Sequence, residues 1–233
     1  CPQNLVHPLA AAIQKSIQKM YGETDADRHR NKNFVHIIDR NAVKRHWALV
    51  DEAVSRGATL FFGGDFTAED IENRYSPATV LTDVTAEMDV MKGEIFGPIL
   101  PVVAYESLDD AVRFIQSRPK PLALYVFGKN QKQIDAIVSG TSSGSTCINH
   151  CILQIENLSV PFGGVGMSGT GNYHGFYGFK TFSHERNIME QGGFDSMNVF
   201  YPPYHGREDK GLRAKIQRIA KKILGFKNQG SKP

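Results

Sequence analysis

Short apolar runs alternate with amphipathic helical stretches across residues 41–148, and this alternation restricts the fold more than any other feature of the chain. Val43, Trp47, Val50 and Val54 recur at helical spacing over 41–56, with Gly57 as the stop. Residues 58–62 read as a strand closed by Gly63-Gly64, and further extended segments lie at 75–82 and 99–105. Ser107-Leu-Asp-Asp has the spacing of a capping box and opens a helix with Leu108, Val112 and Ile115 on one face. Pro119 and Pro121 break that helix. Residues 122–127 read as an apolar strand, 130–138 as a helix and 145–148 as a buried strand. Upstream, Leu9, Ile13, Ile17 and Met20 predict a helix over 8–21, ended by Gly22, and the polar stretch 23–33 reads as a loop. The pattern predicts an α/β fold: three layers, a mainly parallel sheet with helices on both faces.

Composition narrows the class. The 233 residues suffice for one large domain or two small ones, and 41% hydrophobic content is ordinary for a globular protein. No apolar run approaches the roughly 18 residues of a membrane span. The N-terminus lacks the basic and apolar segments of a secretory signal, and a chain opening Cys-Pro-Gln without Met reads as a fragment of a longer one. Three cysteines at low density fit a reducing compartment, the cytoplasm. The net charge of +3 is uneven: nine Lys/Arg against two acids from His205 onward give +7, leaving 18 against 22, or −4, in the body. Such a body argues against nucleic acid as a partner.

Two segments carry chemistry. In Gly93-Glu-Ile-Phe-Gly-Pro98, an extended chain puts Glu94 and Phe96 on one side, and the Pro98 ring stiffens the chain at the mouth of the next strand. A carboxylate beside a ring suits a flat, hydroxyl-bearing ligand such as the ribose and ring of a nucleotide. The second segment, Pro161-Phe-Gly-Gly-Val-Gly-Met-Ser-Gly-Thr-Gly-Asn-Tyr-His-Gly175, packs six glycines into fifteen residues. Gly164, Gly166 and Gly169 match Gly-x-Gly-x-x-Gly, but no strand leads in and no apolar helical period comes after, so a dinucleotide fingerprint is rejected. A surface loop with many positive φ angles and a loop that wraps a substrate entrance both remain open.

Glu94-Ile-Phe-Gly-Pro-Ile-Leu-Pro-Val resembles the signature of the aldehyde dehydrogenase superfamily, and Asn157-Leu-Ser-Val-Pro-Phe-Gly-Gly-Val-Gly-x-Ser-Gly-x-Gly resembles its C-terminal hallmark. Tyr173-His174-Gly175 and the run from Arg118 to Tyr125 are similar to the class 3 branch. The resemblance covers nearly all of 8–191. It implies that NAD or NADP is the cofactor, with Glu94 on the nicotinamide ribose and Phe96 against the nicotinamide. It also implies an aldehyde substrate, with Phe162 and His174 as candidates for its pocket. The plainer role for His174 is a hydrogen bond that orders the turn. Gly93 stands where the family usually has a second Glu, and Asn149-His150 where it has Asn-Asp. A CoA-acylating relative fits these residues less well.

The resemblance further implies a thiolate that adds to the aldehyde, hydride loss to the nicotinamide, and thioester hydrolysis assisted by a general base. Cys1 lacks the family's Ala-Pro-x-Tyr run behind it, and Cys147 lies in an apolar strand. Cys147, His150 and Cys151 share one short segment, do not converge on an ion and lack a fourth ligand, so no metal is expected. The nucleophilic Cys and the base Glu are therefore expected upstream of this chain. The alternative is a catalytically silent chain that serves oligomerisation or membrane docking.

The expected organisation is a catalytic-domain portion at 1–177, a bridging strand at 178–191 and an irregular tail at 192–233. The strand, from Phe179 to Met189, would pair with a partner subunit in a homodimer, or form an edge of its own domain. In the tail, Leu212, Ile216, Ile219, Ile223 and Leu224 alternate with Lys and Arg as in a basic amphipathic helix. Residues 210–227 would rest either on the body of the enzyme or on the inner face of a membrane.

Overall fold

The computed structural model describes residues 1–193, 214–216 and 218–219. Its contacts divide the chain into two units, Cys1–Phe182 and Ser183–Pro233.

The first unit is built around β2 (Thr79–Thr82), whose four residues are all buried. It pairs antiparallel with β1 (Thr59–Phe62) and parallel with β3 (Ile99–Pro101), giving the order β1-β2-β3. Alternation along β2 sends neighbouring side chains to opposite faces. Val80 joins Val6 and Ala10 of α1 (Val6–Tyr21), together with Val102. Leu81 joins Val43, Val50 and Ala53 of α3 (Arg40–Ser55), with Met88, Val90 and Ile99. Helices thus cover both faces of this sheet, and each face has its own apolar cluster. A second sheet holds β4 (Ala123–Val126) parallel to β5 (Ser145–Ile148). Between them runs α6 (Gln131–Gly140), which packs on α5 (Leu108–Gln116). Two of the three ladders are parallel. The expected α/β architecture is present, distributed over two small sheets.

Helix starts reflect side-chain chemistry. Ser107 accepts from the Asp110 amide while the Asp110 carboxylate takes the Ser107 N–H at 2.9 Å, the predicted capping box of α5. The same reciprocal box, Thr24 with Asp27, opens α2 (Asp25–Arg30). The stretch 23–33 is therefore not all loop. Thr67 with Asp70 opens α4 (Ala68–Asn73) in a stretch with no apolar period. Each of these two helices buries one polar residue, Arg28 or Asp70, so a hydrophobic pattern could not reveal it. α7 (Leu153–Glu156) is a single turn after β5.

The expected strand from Phe179 is corrected at its start. Residues 179–181 belong to α8 (Gly175–Thr181), in which Tyr177 and Gly178 donate to the His174 carbonyl. Phe176 and Phe179, three apart, lie on one helical face with their rings stacked at 6.3 Å. That spacing fits a helix. Residues 183–193 carry neither helix nor strand. In the second unit, 214–216 and 218–219 are helical; the rest of the tail expectation over 210–227 lies outside the described residues. No helix among the described residues is long and apolar enough to cross a membrane.

Candidate active-site surface

The segment carrying Glu94 and Phe96 enters β3 from a loop that starts after a short 3-10 turn, Asp89–Met91. It is not extended throughout. Phe96 has φ of 53°, in the left-handed region, so the expectation of two side chains sharing one side of a strand does not hold in that form. A different arrangement exposes both. Ile95 turns inward onto the α3 cluster, while Glu94 is exposed and the Phe96 ring is 77% exposed.

The grip on this loop comes from α3. Asp39 caps that helix, its carboxylate accepting the Ala42 N–H at 2.8 Å. His46 lies three residues after Val43 and four before Val50, on the buried face, and is 0% exposed. Its Nε2 lies 3.1 Å from the Ile95 carbonyl and its Nδ1 3.1 Å from Ser76 Oγ. A carbonyl only accepts, so Nε2 carries the proton and Nδ1 accepts from the serine hydroxyl. Burial first, and then the Arg45 charge, hold the imidazole pKa below its ordinary value, although the Ile95 bond opposes this. Arg45, on the exposed side of α3, donates to the carbonyls of Ile95 and, at 3.5 Å, Glu94. The sequence reading missed Arg45, His46 and Ser76. The available signal was a lone histidine in the apolar stripe of a helix.

An apolar recess of about 380 Å³ lies against Gly97 and Pro98, walled by Ile13, Ile17 and Tyr21 of α1 and by Phe34. A larger cavity of about 750 Å³ lies between Cys1, Val103, Tyr105 and the first turns of α5, where Asp110 and Phe114 line it. Cys1 is tied down there by backbone groups: its amine donates to the Val103 carbonyl at 2.7 Å and its carbonyl accepts from Tyr105.

The structure brings Phe162 and His174 side by side. Phe162 pairs with Tyr173 through two backbone hydrogen bonds of 3.0 and 2.9 Å. The His174 ring stacks on Phe162 at 6.0 Å and meets Tyr173 edge-on at 4.5 Å. His174 has φ of 89°, and its Nδ1 is buried without a hydrogen-bond partner, so its side chain does not order the turn through that atom. The ring contacts of this cluster include neither Glu94 nor Phe96. The glycines serve close packing as much as positive φ. A Cβ on Gly163 would sit 2.2 Å from the Gly171 carbonyl oxygen. Gly166–Ser168 is a 3-10 turn, and no phosphate-binding helix opens from it.

Cys147 is buried in β5 and Cys151 is exposed beyond it. Among the described residues no group of three potential metal ligands converges.

The Aldehyde dehydrogenase family profile matches residues 3–188. The chain is 40% identical over 205 residues to aldehyde dehydrogenase family 3 member A2 of Mus musculus, covering 87% of this chain and 40% of that protein. It is 38% identical over 189 residues to the dimeric NADP-preferring aldehyde dehydrogenase of Bos taurus, covering 81% of this chain and 74% of that one. The substrate-bound state of Staphylococcus aureus AldH shares 34% identity and a TM-score of 0.74, covering 94% of this chain and 44% of that one. The chain spans about two fifths of the length of several curated relatives it matches.

Proposed function

The chain belongs to the aldehyde dehydrogenase family, and from that premise we propose that it forms the nicotinamide-facing and substrate-loop portion of an enzyme that oxidises aliphatic or aromatic aldehydes to carboxylic acids. The observation that carries this reading is the loop at 94–98. It bears the family signature and turns a carboxylate and a ring outward from a backbone clamped by α3.

These groups fit NAD or NADP. A carboxylate accepts hydrogen bonds from sugar hydroxyls, and an exposed phenyl face packs on a flat ring. When bound, the cofactor supplies the two-electron acceptor. Glu94 would hold the ribose and Phe96 would pack against the nicotinamide ring. Phe162, Tyr173 and His174 form an aromatic wall suited to an apolar aldehyde chain, and His174 brings a polar atom to it. None of Cys1, Cys147 and Cys151 has the sequence setting of the family nucleophile, so the thiolate and its base are assigned to polypeptide outside this sequence.

The name of the bovine relative and the exposed Ile188 and Met189 support a homodimer. The chain's molar mass in solution, measured by light scattering, checks that assignment.

The central test is binding of nicotinamide mononucleotide to the 233-residue chain, monitored by saturation-transfer NMR. Phe96→Ala and Glu94→Gln should each weaken binding, roughly tenfold for loss of the ring contact or the charge-assisted bond. Equal affinity in all three proteins removes the reading.

A further inference from the structure

The loop that presents Glu94 and Phe96 contains a conformation that does not sustain itself. A phenylalanine at φ of 53° is an outlier for a bulky residue, and such backbone persists only where the surroundings over-determine it. The surroundings here are two adjacent residues of α3. His46 reaches the loop from below, through the Ile95 carbonyl, and is itself fixed by Ser76. Arg45 reaches it from the exposed side, to the carbonyls of Glu94 and Ile95. The imidazole also occupies the space a side chain at Gly97 would need, since a Cβ there would sit 2.3 Å from His46 Cε1.

We propose that Arg45 and His46 are positioning residues whose joint grip on the 94–95 carbonyls holds the loop in the form that offers Glu94 and Phe96 to a ligand. The ligand side of this claim rests on the nucleotide reading; the grip does not. The two groups divide the task by chemistry. His46 is buried, neutral and single-tautomer, so it fixes one carbonyl direction. Arg45 presents a planar fork that spans two successive carbonyls, which sets the rotation at Ile95 between their two peptides. The second of these peptides leads directly into Phe96, so a change in that rotation swings the ring. The Ile95 carbonyl, which can only accept, sets the tautomer, and the Ser76 hydroxyl completes it by donating to Nδ1.

The experiment measures backbone 15N order parameters at 94–97 in the 233-residue chain, with β4 and β5 amides as internal controls. In the unaltered chain the loop should be as rigid as the sheet, near about 0.85. His46→Leu removes both imidazole bonds and should drop the loop below about 0.6 while the controls stay rigid. His46→Gln retains an N–H donor of similar reach and should restore most of the order. Arg45→Met keeps the aliphatic stem and loses the fork. Because Arg45 is exposed, this variant folds even if His46→Leu does not, and it should loosen 94–97 on its own. Nicotinamide mononucleotide affinity should fall about tenfold in the loosened variants and recover in His46→Gln. A loop that stays rigid in Arg45→Met and in any folded His46→Leu overturns the proposal. A loop that loosens as expected in a chain that never binds the mononucleotide upholds the grip and instead overturns the nucleotide reading.

Discussion

Gly97 has no side chain because the His46 ring fills the place where one would begin. That contact, more than any turn requirement, explains the glycine, since its φ is not among the positive ones. The same burial gives His46 a pH signature. Its folded pKa lies below the ordinary value of 6.5, so well above 6.5 the residue is neutral in both folded and unfolded chains. As pH falls through 6.5 the unfolded chain takes up a proton that the folded chain refuses, and stability declines until the folded pKa is reached. Arg45 is the charged group facing His46; Ser76, Ile95 and Gly97 are neutral. Denaturant midpoints measured between pH 7.5 and 5 should therefore fall more steeply in the unaltered chain than in His46→Gln. Parallel slopes would show that His46 takes no part. Glu94, Phe96, Phe162 and His174 stood out as candidates in the sequence because they lie inside recognisable motifs. Arg45, His46 and Ser76 did not, because each bonds to a residue 30 to 50 positions away in the chain.

At the level of elements, α3 is where stability and site geometry meet. Its apolar face supplies Val43, Val50 and Ala53 to the core, and the same turns carry the grip on the 94–95 carbonyls. The helix begins at Asp39, whose carboxylate satisfies one of the otherwise unpaired amides of the first turn. Asp39→Ala should cost about 1 kcal/mol of stability, read by urea denaturation. The loss should be insensitive to nucleotide, because the cap lies at the far end of the first turn from Arg45 and His46. The long helices were legible from apolar period, and α5 from its capping box. α2 and α4 share that box yet bury only a polar residue each, so period-based reading passed over them. α8 shows the converse: four aromatics over 176–182 resemble a strand in composition, but two of them stack three residues apart on a helix.

On the scale of the whole molecule, the central fact is that β2 is covered on both faces, by α1 and by α3. Alternation within four residues sorts Val80 to one cluster and Leu81 to the other, which is how so short a strand organises two layers of helix. The second sheet is narrower and keeps Cys147 buried. In the second unit, Ile188 is 75% and Met189 89% exposed. Adjacent large apolar groups left in water are candidates for a contact with another chain. If the proposed homodimer forms through them, Ile188→Asp with Met189→Asp should shift the mass measured by light scattering from dimer to monomer. A mass unchanged by both substitutions places the contact elsewhere.

The long helices and the strands, the class of fold, the family and the motifs that hold the four candidate residues were written in local patterns: period, caps, turn residues and motif. Those are short-range properties, and a single strand of text carries them. Only the tertiary structure decided that Phe96 is left-handed, that the loop is gripped from α3, and that Phe162 and His174 stack. Each of these depends on which distant carbonyl or ring arrives within about 3 to 6 Å, a quantity fixed by packing across the sheet rather than by neighbours in the chain.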